Sequence, residues 1–201
     1  MRKPTKQSNP LGTSKFSKLV RKLSTRAAVA IVITTKTEKP EVLLIKRAIR
    51  DGDPWSGDIA FPGGKQQTED RNTCQTALRE LFEETGITPT NTTPTYRLPD
   101  KLTRLHHAPL PMTISPWIFE TDSPQTAKLN HESTDFLWLP LAEFLREDAQ
   151  STLKWKTRLG TFTMPTLEVD EHRIWGITLS IIHGMIKNKE LFDKYFADPK
   201  K

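Results

Sequence analysis

A single cysteine, Cys74, is the only thiol among the 201 residues, so no disulfide framework can staple this chain. A reducing compartment fits that usage. The longest apolar run is short, reaching only from Ala27 to Ile33. It cannot cross a bilayer, and its β-branched content reads as a buried strand. A long basic, polar stretch precedes it, which argues against a secretory signal. His106, His107, His131, His172 and His183 show no ligand spacing with Cys74, so a zinc site is not expected. No internal repeat is present, which excludes a solenoid. Acid is absent from residues 1–37, which carry nine Lys or Arg; the other 164 residues carry 21 basic and 24 acidic side chains. The net charge of +6 therefore describes a basic arm on a mildly acidic body, and nucleic acid is not an expected partner of that body.

The sequence divides into an arm, residues 1–26, and a folded domain, residues 27–201. Residues 1–14 hold Pro, Ser, Thr and Gly with little apolar content, the composition of a disordered segment. Phe16, Leu19, Val20 and Leu23 then recur at i, i+3, i+4 and i+7, which allows a basic amphipathic helix. Three uses compete for it: packing on the body, contact with a nucleic acid or membrane, and an organelle-targeting presequence. The expected compartment is the cytoplasm, or a mitochondrial or other organelle matrix if the arm is a presequence. Oligomeric state is not legible.

Along the domain, Ala27–Thr35 and Glu41–Arg47 read as paired strands around a turn at 36–40. A charged loop, Ile49–Gly57, leads to a short strand, Asp58–Phe61, and a tight Pro62-Gly63-Gly64 turn. A helix is expected over Asp70–Thr85. The Pro/Thr-rich segment Thr88–Pro99 reads as loop, Met112–Glu120 and Phe136–Leu139 as strands, and Leu141–Glu147 as a short helix. Leu153–Arg158 and Thr161–Met164 suggest a hairpin turned at Leu159-Gly160, and Ile174–Lys187 a last helix. Trp138 and Trp175 lie in apolar segments and are expected in the core. Strands before and after a helix favour an α/β sandwich with a mixed sheet.

The chemistry concentrates in Arg79-Glu80-Leu81-Phe82-Glu83-Glu84-Thr85-Gly86-Ile87. At about 100° per residue, Glu83 and Glu84 lie roughly 300° and 40° from Glu80, while Cys74, Ala77, Leu78, Leu81 and Phe82 fall at about 60–200°. The acids thus share one side, facing away from the apolar stripe. Gly86 is a natural helix-ending residue, which puts Glu83 and Glu84 in the last turn. There the helix dipole disfavours each carboxylate by about 0.3–1 kcal/mol. Two adjacent violations of a local rule point to function, and clustered carboxylates are best explained by a hard divalent cation such as magnesium. Such a cation neutralises linked phosphates and lowers the pKa of a bound water. Glycine at 63 and 64 lets a backbone carbonyl, that of Gly63, approach the same ion. Arg79 precedes Glu83 by four residues, within reach to orient it.

With these residues in view, Gly64-x5-Asp70-x8-Arg79-Glu80-Leu81-x-Glu83-Glu84-x-Gly86-Ile87 resembles the signature of the Nudix hydrolases. The resemblance covers residues 27 to about 187. It implies an α/β/α sandwich, Mg²⁺ or Mn²⁺ as cofactor, and hydrolysis of a nucleoside diphosphate linked to another moiety. Glu83 and Glu84 become implied metal ligands, with Glu80 a ligand or the base. The family has Glu where this chain has Asp70, and one residue fewer before Arg79. Leu43-Leu44-x-x-Arg47-Ala48, Gly57-x3-Phe61-Pro62-Gly63-Gly64, Trp138-Leu139-Pro140-Leu141 and Ile174-Trp175-Gly176-Ile177-Thr178 are similar to the coenzyme A pyrophosphatase branch. That branch has an Arg where this chain has Gly52, and its glycine falls one position before Gly57. The loop change bears on recognition of a 3′-phosphate or pantetheine arm.

Arg47, Arg50 and Lys65 are candidate phosphate contacts, because guanidinium forks and ammonium groups suit phosphate oxygens. Trp55 lies in a Gly/Pro loop where it could stack on adenine. Glu132, in a loop before a strand, is the first candidate for a base outside the helix. Two other readings compete with coenzyme A or its acyl derivatives as substrate. One is the same chemistry on an ADP-sugar, a dinucleotide or an oxidised nucleoside triphosphate; the other is a non-catalytic binding module of the same fold.

Overall fold

The computed structural model describes residues 24–51, 55–104, 111–157 and 160–197. Residues 1–23 of the basic arm, with its candidate helix, lie outside them, as do Gly52, Asp53, Pro54, His106, His107 and Leu159; Thr25 and Arg26, assigned to the arm, already belong to the first strand of the domain.

The run from Ala27 to Ile33 forms most of strand β1 (Thr25–Thr34), and six of those seven residues are no more than 4% exposed. A strand buried on both faces needs partners on both edges. β1 pairs in parallel with β7 (Pro111–Thr121) and antiparallel with both β2 (Glu41–Arg47) and β4 (Gly63–Lys65). β2 in turn pairs with β3 (Ile59–Ala60) and β8 (Ser133–Pro140), and β7 with β5 (Asn91–Arg97) and β6 (Lys101–Arg104). These eight strands form one mixed sheet.

Period-two alternation sends β1 side chains into two cores. Ala28, Ala30 and Val32 join Leu43 and Phe119 against Ala77 and Leu81 of helix α1 (Thr73–Thr85). Ile31 and Ile33 join Val42, Leu44 and Ile118 against Leu179, Ile182 and Met185 of helix α2 (Gly176–Ile186). The second core also takes Leu167, Val169 and Ile174 from a three-stranded sheet of β9 (Gln150–Thr157), β10 (Gly160–Val169) and β11 (His172–Trp175). The α/β/α expectation holds, with this second sheet as an addition. Each fully buried Ile or Leu contributes about 1.5–3 kcal/mol, so the cores can carry an electrostatically unfavourable site elsewhere in the fold.

Four expectations are corrected. Thr88–Pro99 is not loop throughout: Asn91–Arg97 is β5, a terminal strand whose register shifts between Asn91 and Tyr96 and so accommodates Pro94. Ile174 and Trp175 belong to β11, and Gly176, at φ 61°, turns that strand into α2. A buried strand residue and a buried helix residue look alike over so short a span. The first helix begins at Thr73, not Asp70, because the Asn72 side chain accepts the Gln75 N–H and caps it. Gly63-Gly64 is less a turn than the start of β4, directly after Pro62. Two elements lacked a clear signal: β6, and helix α3 (Lys189–Tyr195), which Asn188 caps. Tyr195 anchors α3 by donating to Glu120 of β7 at 2.8 Å.

Candidate active site

β4 lies between β1 and α1, and the sequence Gly-Gly makes that possible. A Cβ on Gly63 would strike the Ala28 carbonyl and Val29; one on Gly64 would sit 2.5 Å from Glu80 Oε1. With both side chains absent, the acidic side of α1 packs against β4. Glu80 is 9% exposed and Glu84 4%. This corrects the helical-wheel picture: the arc holding Glu80 and Glu84 is buried with Thr76, Ala77 and Leu81, whereas Phe82 is 60% exposed. Glu83, also exposed, leaves the pair and turns to Arg79.

No basic residue occupies the last turn of α1; one turn earlier, Arg79 offsets Glu83 but leaves Glu84 to partners outside the helix. The Gly63 N–H donates to Glu84 Oε2 at 2.8 Å. Gly63 thus meets this carboxylate through its amide. Burial nonetheless pushes Glu84 up to about 8; the Glu80 and Glu132 charges add to the rise, and the Gly63 N–H and Arg47 oppose it. Burial also raises Glu80, helped by Glu83 and Glu132 and opposed by Arg79.

Arg79 is the hub of the acidic cluster. Its Nε and Nη2 donate to the two oxygens of Asp70 at 3.1 and 3.0 Å, and Nη1 donates to Glu83 at 2.9 Å. Nη2 also lies 2.9 Å from Glu80 Oε1 and donates to the Lys65 carbonyl at 3.1 Å. Asp70 accepts further bonds from the Thr76 hydroxyl and the Gln67 N–H, both at 3.0 Å. Arg79, followed by these two donors, holds Asp70 down at about 2 against the effect of burial. The shorter acid, displaced by one residue, therefore still grips the arginine with a two-pronged bond.

Glu132 reaches the same place from the other side. Residues 128–132 bridge the end of α1 and the end of β2: Lys128 N–H donates to Thr85 O, Asn130 N–H to Glu84 O, and Ala48 N–H to Glu132 O. The Asn130 side chain accepts the Glu132 N–H at 2.8 Å. That local turn is legible in Asn130-His131-Glu132, where an Asn side chain accepts the N–H two residues on. Arg50 Nη2 donates to Glu132 Oε1 at 3.2 Å. Ser56, which carried no distinctive signal, holds Arg50 by donating to its carbonyl and accepting its N–H, both at 2.9 Å.

The structure therefore brings Glu80, Glu84, Glu132, Arg47 and Arg50 together at the junction of β2, β4 and α1. Trp55 is half-buried in the turn that pairs with Arg47 through Gly57 and Asp58. Lys65 presents an exposed side chain on β4. Trp138 and Trp175 are only partly buried, their indole N–H groups donating to Gln125 O and Asp58 Oδ1.

Among the described residues, no three His, Cys, Asp or Glu side chains stand together as a ligand group. Glu83 is engaged by Arg79 and one oxygen of Glu84 by Gly63. The donors still fit a hard divalent cation in kind: Glu80 shares the Arg79 guanidinium with Asp70 and Glu83, and Glu84 is a carboxylate buried where its charged form is disfavoured. Burying two carboxylates beside one shared guanidinium is costly, and a cation supplies the further positive charge.

A family model described as the NUDIX domain matches residues 24–159. The chain belongs to the Nudix family. This Nudix chain is 31% identical to the human protein named mitochondrial coenzyme A diphosphatase NUDT8 over 164 residues, 77% of this chain and 65% of that one. It is 33% identical to the Caenorhabditis elegans protein named peroxisomal coenzyme A diphosphatase ndx-8 over 118 residues, 58% of this chain and 48% of the relative. The chain thus spans about two thirds of these relatives' length or less. A MutT/nudix family protein from Enterococcus faecalis shares the fold at a TM-score of 0.53 and 14% identity, over 90% of this chain and 74% of that one.

Proposed function

We propose that this Nudix chain is a metal-dependent pyrophosphohydrolase that cleaves nucleoside-diphosphate-linked substrates, with coenzyme A or its acyl derivatives as the preferred ones. One observation carries the reading. Glu84 is buried beside Glu80 with the Glu132 charge close by, an arrangement that disfavours its charged form and suits a divalent cation facing a phosphoanhydride. The names of the human and nematode relatives support the substrate class.

Glu80, Glu83 and Glu84, with the Gly63 carbonyl, are the proposed holders of Mg²⁺ or Mn²⁺. When bound, the ion supplies charge neutralisation and a more acidic water. Arg79, fixed by Asp70, keeps Glu80 and Glu83 oriented. Arg47, Arg50 and Lys65 bind phosphate oxygens, and Trp55 stacks on the adenine. Glu132 accepts the proton of the attacking water. A new phosphorus–oxygen bond forms as the bridging bond breaks, and the bridging oxygen leaves as part of a phosphate monoester. The proposed compartment is the cytoplasm; a basic arm acting as presequence would place the chain in a mitochondrion or other organelle.

The test is product identification after incubation with Mg²⁺ and a panel of coenzyme A, acetyl-coenzyme A, an ADP-sugar, a dinucleotide and an oxidised nucleoside triphosphate. Release of 3′,5′-ADP from coenzyme A is expected. Cleavage of another member alone would remove the coenzyme A assignment, and cleavage of none would remove the enzyme.

A further inference from the structure

Arg50 and Glu132 are both candidates for work at the reaction centre, yet the structure pairs them with each other. The Glu132 main chain is fixed at both ends of the site, by Ala48 on one side and Asn130 on the other, so its carboxylate can move only by side-chain rotation. The Arg50 main chain is likewise clamped, N–H and carbonyl, by the one Ser56 hydroxyl. Two anchored side chains therefore meet through a single donor bond of 3.2 Å, between groups 44% and 40% exposed. An ion pair so accessible to water contributes little and is readily exchanged. A phosphate presents more oxygens to a guanidinium than the one Glu132 oxygen used here.

We propose that the Arg50–Glu132 pair is a latch that the substrate opens: a phosphate oxygen of the bound diphosphate takes the Arg50 guanidinium and thereby frees the Glu132 carboxylate to face the water. The proposal rests on the functional reading above and adds a coupling to it. Arg50 is a partner of substrate and carboxylate in turn, never of both through one contact. In the substrate-free state, Glu132 is held by a cation. With substrate seated, Glu132 becomes available beside Glu80 and Glu84, whose charges it already influences. Ser56 is the positioning residue, because it fixes where the guanidinium begins its swing.

The coupling is measurable by direct binding of a non-hydrolysable probe, adenosine 5′-(α,β-methylene)diphosphate with Mg²⁺, followed calorimetrically. Wild type, Arg50→Ala, Glu132→Gln and the double variant form a thermodynamic cycle. Glu132→Gln removes a competitor for Arg50 and should tighten binding roughly threefold or more beyond the tightening it causes in the Arg50→Ala background. The comparison across backgrounds removes the general effect of deleting a negative charge near an anion. Equal tightening in both backgrounds overturns the latch. So does weaker binding in Glu132→Gln when Arg50 is present, since Glu132 would then be presenting Arg50 to the phosphate. Both residues are solvent-accessible, and unchanged melting curves confirm that the four proteins are equally folded. If no variant binds the probe and wild type also hydrolyses nothing in the substrate panel, the functional reading falls and the latch with it. Hydrolysis with a cycle that shows no coupling removes the latch alone.

Discussion

Glu84→Gln should make the metal-free protein more stable and the enzyme inactive. The native carboxyl titrates near 8, against 4.5 for an unperturbed glutamate, because burial disfavours its charged form. A raised acid pKa means that the folded state binds the proton more tightly than the unfolded state. The associated stability is therefore complete below about pH 4.5 and is lost as pH rises toward and through about 8. A shift of this size corresponds to about 3–5 kcal/mol, all of it withdrawn once Glu84 is ionised in both states. Glutamine keeps an acceptor for the Gly63 N–H, at the position where Oε2 now sits 2.8 Å away, and carries no charge at any pH. Melting curves in chelator should nearly coincide at about pH 5 and separate by about 6–20 °C at about pH 9, with the variant higher. Saturating Mg²⁺ should then raise the wild-type midpoint at high pH by mass action and leave the variant nearly unmoved. Turnover should fall by roughly a hundredfold or more. A variant that melts at or below wild type at high pH would show that the Glu84 charge is already matched inside the protein. The case for a cation would then have lost its physical basis.

Asp70→Asn removes the carboxylate that Arg79 grips with two nitrogens and should cost about 2 kcal/mol near neutral pH. Because the native Asp70 is depressed to about 2, its contribution is present above the ordinary aspartate range and fades as pH falls through about 2. Urea titrations of the two proteins should converge in strong acid, and a constant gap would contradict the assignment. Gly64→Ala places a methyl group 2.5 Å from Glu80 Oε1, so the carboxylate must move, and turnover should drop roughly 10- to 100-fold with the fold retained. Unchanged activity in steady-state assays would show that the position of Glu80 does not matter. Tyr195→Phe deletes the donor to Glu120 and should lower stability by about 1 kcal/mol in denaturant titrations while leaving kcat alone. A kcat effect would connect α3 to the reaction.

The parts of this fold that the sequence made legible are those where burial and local preference agree. Residues Ala27–Ile33 are apolar and largely β-branched, and they form the central strand; Gly86 ends α1 where its lack of a Cβ is needed, at φ 67°. β5 escaped because Pro94 and three threonines look like a loop until β7 is there to pair with them and absorb the shifted register. Ile174, a strand residue, reads as helical because hydrophobic spacing over two residues cannot tell a strand from a first helical turn.

The candidate site shows a subtler limit. A helical wheel gives the angle between Glu80, Glu84 and the apolar stripe, but not which arcs other elements will cover. The wheel places Phe82 inside and the three acids outside, whereas Phe82 and Glu83 are exposed and Glu80 and Glu84 are buried. The missing fact lay sixteen residues upstream of the helix acids, in two glycines. As a turn, they let a carbonyl approach a cation. Their larger effect is to thin β4 until α1 can rest on it, with β1 on one side of Gly63 and Glu80 on the other side of Gly64. That contact is what dries Glu84, since a bulkier strand would hold the helix off and leave the carboxylate in water. The raised pKa of Glu84 is therefore set by residues that carry no charge, and Gly64→Ala should lower it toward the ordinary glutamate range if the same contact is loosened.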